Sequence, residues 1–191
     1  MDFDSYFEAS FDAHESLLAP TRSALKAPLS RLVDLCADAL GRGGKILFFG
    51  NGGSAADSQH LAAEFCCRFV HDRPALAALA LTTDSSALTA IGNDYGYDHV
   101  FSRQIAALGQ KDDVAIAFST SGNSPNVIAG LKAAREKGLV AAGFGGGDGG
   151  KMKALADPVI LVPSKDTARI QEMHITLGHI LCGAVEKKLG L

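Results

Sequence analysis

No dense cluster of Lys or Arg occurs anywhere in the 191 residues, and the formal charge is only −3. The isoelectric point is near 6.0. Charge therefore gives no reason to expect nucleic acid or an anionic membrane as a partner. Membrane-length apolar runs are missing too. One long stretch without charges, Val114 to Leu131, is broken by Ser, Thr, Gly, Asn and Pro, so it reads as no membrane span. The start, Met1-Asp2-Phe3-Asp4, has neither the basic n-region nor the apolar h-region of a signal peptide, and a cytoplasmic location is expected. Cys36, Cys66, Cys67 and Cys182 contain no C-x-x-C spacing. That excludes a zinc ribbon or a thioredoxin-like motif and fits four small buried apolar residues in a reducing compartment. There is no repeat, no low-complexity tract and no interdomain linker.

What is present is a core. Apolar residues make up 47% and charged residues 20% of the chain, which argues against disorder. The length suits one α/β domain plus a little extra. Residues 1–43 have helical spacing: Phe3, Phe7, Phe11, Leu17-Leu18, then Leu25, Leu29, Leu32-Val33, Leu35 and Leu40. Pro20 and Thr21 are expected to divide them into two helices, and Gly41, Gly43 and Gly44 to end the second. An apolar helical arm ahead of the first strand needs a cover, and the arm reads as a subunit-contact element. From residue 44 to 191 short apolar strands alternate with helices. The strands are Lys45–Phe49, Leu76–Leu81, Val114–Phe118, Leu139–Phe144 and Val159–Val162. The helices are Ser54–Arg68, Thr83–Gly92, Tyr97–Leu108, Pro125–Lys137 and Ala168–Leu189. This predicts a three-layer α-β-α sandwich on a five-stranded parallel sheet, with ligands bound beyond the carboxyl ends of the strands.

The loops at those ends carry the chemistry. The first strand exits into Gly50-Asn51-Gly52-Gly53-Ser54, which permits a tight turn and puts Ser54 in place to cap the next helix. The third exits into Ser119-Thr120-Ser121-Gly122-Asn123-Ser124-Pro125. Four hydroxyls, an N-cap at Ser124 and a proline at the first helical position favour an anion there. A phosphate is the implied ligand, with sugar hydroxyls on Asn51 and Ser54. Neither loop has the Lys-Ser/Thr ending of a P-loop, so no nucleoside triphosphate is indicated. The run Gly145-Gly146-Gly147-Asp148-Gly149-Gly150 contains G-x-G-x-x-G, but it follows the fourth strand and leads only into the short segment Lys151–Leu155. A glycine-rich turn explains it better than a dinucleotide site.

His60 and Glu64 lie four apart on one face of the helix after the first loop, a spacing suited to a divalent metal or to proton transfer. The final helix offers Gln171, Glu172, His174 and His179. Gln171 and His179 are eight residues apart, about 12 Å along an ideal helix and about 80° around it. If both act at one site, Gln171 sits at an irregular helix start or two subunits contribute. Glu172 shares a face with His179 and competes for the role, and His174 reads as a packing or surface residue.

Taken together, Gly50–His60 with Glu64, Ala90-Ile91-Gly92-Asn93-Asp94, Ser119–Ser124, and Arg169–His174 with His179 resemble the phosphoheptose isomerases (sedoheptulose 7-phosphate isomerases) of the sugar isomerase (SIS) fold. The resemblance spans nearly the whole chain and is weak before residue 40. It implies a homotetramer with active sites at subunit interfaces. The implied reaction converts D-sedoheptulose 7-phosphate to D-glycero-D-manno-heptose 7-phosphate through an enediol. That would be the first step toward bacterial heptose for lipopolysaccharide or capsule. By the same resemblance Ser119, Thr120, Ser121 and Ser124 hold the phosphate, and Asn51, Gly52, Gly53, Asn93 and Asp94 contact the sugar. His60, Glu64, Gln171 and His179 bind one Zn2+ per subunit. Gln171 also touches substrate, and Glu64 and His179 are the catalytic acid/base pair. The rival is a non-enzymatic protein-binding module of the same fold, similar to the replication-initiator-associating protein. Retention of Glu64 and His179 favours the enzyme.

Overall fold

The computed structural model describes residues 2–191. The elements run α1 (Phe3–Gly41), β1 (Ile46–Gly50), α2 (Gly53–Cys66), β2 (Ala78–Ala80), α3 (Ser85–Tyr95), α4 (Val100–Leu108), β3 (Val114–Phe118), α5 (Pro125–Glu136), β4 (Val140–Gly146), β5 (Val159–Val162) and α6 (Thr167–Leu189). Short 3-10 turns occupy Tyr97–His99 and Gly150–Ala154.

All five strands are parallel, in the order β2-β1-β3-β4-β5. Side-chain alternation sorts the strand residues onto two cores. Ile46, Phe48, Ile116, Phe118, Phe144, Ile160 and Val162 pack against α1, α2 and α6. Leu47, Phe49, Ala115, Ala117 and Ala141 pack against α4, α5 and the 150–154 turn. β1 and β3 are buried at every position, as continuous apolar runs in a doubly covered sheet must be. Their starts are tied by Asp113, whose carboxylate takes the Lys45 N–H at 2.9 Å and the Lys45 ammonium at 2.7 Å.

Four expectations need correction. Cys36 and Cys182 are buried, but Cys66 and Cys67, at the end of α2, are exposed. Residues 3–41 form one helix, with Pro20 and Pro28 inside it. Proline removes a donor and crowds the preceding turn, but packing decides the outcome. Leu17, Thr21, Leu25, Leu29, Leu32, Val33 and Cys36 form a continuous buried stripe, largely against α6, that passes both prolines. β2 is only three residues long. It is an edge strand, paired on one side, and Leu79 is 40% exposed. The helix expected from Tyr97 begins as a 3-10 turn and becomes regular at Val100.

Candidate active site

The strand order places the topological switch between β1 and β3. From β1 the chain crosses to β2 on one side and β3 lies on the other, so the loops leaving β1 and β3 border one crevice. Gly50 and Phe118 are partners in the ladder, which brings Asn51 and Ser119 out side by side. On the first loop Asn51 forms a reciprocal amide pair with Asn126: each Nδ2 donates to the other Oδ1, at 2.9 and 2.8 Å. The Tyr97 hydroxyl adds a bond to Asn51 Oδ1 at 3.3 Å. Ser54 does not cap α2. The cap residue is Gly52, with no side-chain bond, and Ser54 is buried inside the first turn against Gly50.

The second loop gathers hydroxyls at the start of α5. Ser119 is buried, and its Oγ lies 3.3 Å from Ser124 Oγ. Ser124 is the cap residue of α5, as expected, yet its side chain makes no cap bond. Turned toward Ser119, the hydroxyl leaves the first backbone N–H groups of α5 without a side-chain acceptor, the arrangement that receives a phosphate. Thr120 is half-buried and Ser121 exposed. The glycine-rich run after β4 supports this loop from below. Gly122 has φ +64°, and a Cβ there would meet Gly149 O at 2.0 Å. Gly122 O accepts the Met152 N–H at 3.0 Å, and Asn123 Oδ1 accepts the Lys151 N–H at 3.2 Å. Backbone therefore packs on backbone, which only glycine permits here.

The acidic and imidazole groups gather farther along α2, where α6 crosses beside it. His60 Nε2 and His179 Nε2 face each other at 2.8 Å, and Glu64 Oε1 is 3.5 Å from His60 Nε2. His60 is about half exposed and Glu64 largely covered. The Phe69 ring stacks on the His179 ring, with centroids 5.6 Å apart and 29° between planes. Gln171 is not part of this group. Its amide lies against Gly53, where a Cβ would meet Gln171 Nε2, and beside Asp57. It sits one turn inside a regular helix, so an irregular helix start is ruled out. Among the described residues, no three His, Cys, Asp or Glu side chains close on one point as metal ligands do. The donor types nonetheless fit a divalent ion: two imidazole nitrogens already face each other beside a carboxylate.

The remaining candidates separate cleanly. Glu172 faces away from His179 and binds His14 at 2.7 Å and Arg169 at 2.6 Å, so it ties α6 to α1. His174 is a packing residue, fully buried between Phe118 and Phe144, with Nε2 3.0 Å from Gly145 O. Burial drops its pKa to about 4, so it is neutral. Asn93 and Asp94 bond each other at 2.8 Å at the exposed end of α3. Within one chain the loop after β1 and the His60–Glu64–His179 group lie at different heights along α2. Gly53 and His60 are separated by seven residues, about 10 Å along α2.

A family model for the SIS domain matches residues 10–146. A phosphoheptose isomerase of Paramagnetospirillum magneticum is 60% identical over 186 residues, 97% of each chain. The chain belongs to the phosphoheptose isomerase family. A phosphoheptose isomerase of Aneurinibacillus thermoaerophilus is 51% identical over 97% of this chain and 92% of its own. The solved phosphoheptose isomerase of Neisseria gonorrhoeae matches with TM-score 0.92 at 45% identity, over 97% of this chain and all of that one. Family membership makes the chain an isomerase and does not favour the protein-binding rival.

Sequence reasoning missed several residues of this candidate site. Asn126 and Tyr97 hold Asn51 from elements far away in the chain. Asp57, three residues before His60, is buried with Oδ2 unpartnered. Burial raises its pKa to about 6, against the opposing pull of Gln171 and His60. A carboxylate three residues before a candidate ligand on the same helix was a visible signal.

Proposed function

We propose that this chain interconverts D-sedoheptulose 7-phosphate and D-glycero-D-manno-heptose 7-phosphate, supplying heptose for a lipopolysaccharide or capsule in a bacterial cytoplasm. The observation that carries the reading is the meeting of His179 with His60 and Glu64, two helical turns along α2 from the loop that leaves β1 beside the hydroxyl loop and its uncapped helix. A seven-carbon sugar phosphate has its phosphate and its reacting carbons at opposite ends. Two separated clusters suit such a molecule better than a short one.

Ser119, Thr120, Ser121, Ser124 and the first N–H groups of α5 hold the phosphate. Asn51, Gly52, Gly53, Ser54, Asn93, Asp94 and Gln171 contact the sugar. One of the pair Glu64 and His179 takes a proton from C1 of the ketose, and O2 is protonated as the cis-enediol forms. The other removes the O1 proton while the first returns its proton to C2, giving the aldose. His60, Glu64 and His179 would hold a zinc ion, and Gln171, expected as a fourth ligand, faces Asp57 and Gly53 here. Bound there, the ion would polarise the carbonyl and steady the enediolate oxygen.

Residues 1–43 serve oligomer packing, with 44–191 as the sugar-phosphate domain of a homotetramer. A 39-residue helix is about 58 Å long, and no residue of α1 before Leu17 is buried. Phe3, Tyr6, Phe7 and Phe11 are 75%, 64%, 46% and 62% exposed, a stripe that water does not favour. An apolar groove lined by Leu18, Leu25, Leu29, Met173, Leu177 and Ile180 continues it between α1 and α6. Both support self-association.

The test is turnover of sedoheptulose 7-phosphate by the pure protein in deuterated water, with and without a chelator. Heptose 7-phosphate with deuterium at C2 is expected. No turnover with zinc added refutes the reading, and unchanged turnover in chelator refutes the metal.

A further inference from the structure

The connector between α2 and β2, residues 67–77, is held by one buried ion pair. Glu186 on α6 accepts Arg73 Nε at 2.8 Å and the Phe69 N–H at 3.0 Å. The Arg73 and Glu186 side chains are 3% and 6% exposed. The same guanidinium donates to Glu64 O at 2.8 Å, Phe65 O at 2.7 Å and Pro74 O at 3.0 Å. It thus caps the end of α2 that carries Glu64 and ties the connector down onto α6. A planar, always-charged fork suits this, since several fixed acceptors are met at once.

The product of that clamp is the position of Phe69. Its N–H is fixed by Glu186, and its ring lies flat along α6 over His179, with Gly183 one turn further on. A Cβ on Gly183 would come within 3.2 Å of the ring, so the absence of a side chain there makes the room. Exposed imidazoles rotate among several orientations. Here the ring of Phe69 on one side and His60 on the other leave His179 one plane, with Nε2 directed at His60.

We propose that Phe69, locked by the Arg73–Glu186 clamp, is a positioning residue that fixes the His179 imidazole for the isomerisation. The inference rests on the role given to His179 above. Phe69 touches no candidate phosphate or sugar contact, so its effect belongs in kcat and not in KM.

The experiment compares Phe69→Leu, Phe69→Tyr and His179→Gln with the wild type, in kcat, KM for sedoheptulose 7-phosphate and melting temperature. Phe69→Leu keeps the backbone bond to Glu186 and loses the flat ring. Its kcat should fall about tenfold, with KM within twofold and melting within a few degrees. Phe69→Tyr keeps the ring and should recover to within twofold of wild-type kcat. Wild-type kcat in Phe69→Leu overturns the proposal, and so does a loss that Phe69→Tyr does not restore. If Phe69→Leu melts far below the wild type, Gly183→Ala decides. It crowds the ring while favouring the helix, so lower kcat with unchanged or raised melting supports the proposal and wild-type kcat refutes it. Full activity in His179→Gln instead removes the role of His179 itself, a failure distinct from that of Phe69.

Discussion

Replacing Gly122 by Ala tests whether the glycine-rich run after β4 serves the hydroxyl loop. Gly122 sits at φ +64°, where an L side chain costs about 1–2 kcal/mol. The new Cβ would start 2.0 Å from Gly149 O and 2.5 Å from Gly149 C. Both are backbone atoms, so no side chain can swing aside, and one loop must retreat from the other. Overpacking of this kind costs about 1–3 kcal/mol more. The sum, roughly 2–5 kcal/mol, should lower melting by roughly 4–20 °C in a chain of this size. The retreat also moves Ser119–Ser124 and the start of α5. KM for the phosphorylated ketose should therefore rise about tenfold, equivalent to about 1.4 kcal/mol of binding. Gly43→Ala is the control, with φ +81° and nothing within 4 Å of the added carbon. It bears the strain term alone, at the amino end of β1 and so across the sheet from the hydroxyl loop, and should leave KM unchanged. Thermal melting and steady-state kinetics on the three proteins suffice. If Gly122→Ala melts no lower than Gly43→Ala and keeps the wild-type KM, the buttress does not exist.

Three further outcomes are expected. Glu64→Gln should abolish turnover while circular dichroism and gel filtration stay those of the wild type; substantial residual activity sinks its role as acid or base. Ser119→Ala with Ser124→Ala should chiefly raise KM, by tenfold or more, because both hydroxyls line the proposed phosphate seat; an unchanged KM moves the phosphate elsewhere. His174 is held neutral by burial, with a pKa near 4 against an ordinary 6.5. The unfolded chain binds that proton more tightly, so this stability is complete above about pH 6.5 and lost as pH falls toward 4. Denaturant titrations should show the stability difference between wild type and His174→Gln narrowing by about 3 kcal/mol from pH 7 to pH 4. Asp57, raised to about 6, acts in the opposite sense in both proteins and cancels. A difference that does not change with pH would refute the neutral assignment.

Much of the architecture was legible in the order of residues. Val114–Phe118 and Val159–Val162 have the limits their sequence predicts, because apolar runs bounded by polar residues or prolines have few other uses in a sheet covered on both sides. The hydroxyl loop was legible because its chemistry is local: Ser119, Thr120, Ser121, Ser124 and Pro125 are neighbours in the chain and in space. The pairing of His60 with Glu64 is local as well, fixed by one turn of helix.

Other features depend on partners brought from afar. Pro20 and Pro28 argue locally for a break in α1, and the buried stripe against α6 overrules them. Glu172 and His179 share a helix face by spacing, yet His14 and Arg169 draw Glu172 away toward α1. The place of G-x-G-x-x-G after the fourth strand already argues for a turn, but only the structure shows that this turn is a ledge packed on Gly122. The chain by itself determined the alternation of strands and helices, the buried strands of the sheet centre and the groups that share a turn, since those follow from φ, ψ and nearest neighbours. Only the tertiary structure decided what faces His179, what holds Asn51 and where Gln171 points, because those contacts join residues whose sequence separation carries no periodic signal.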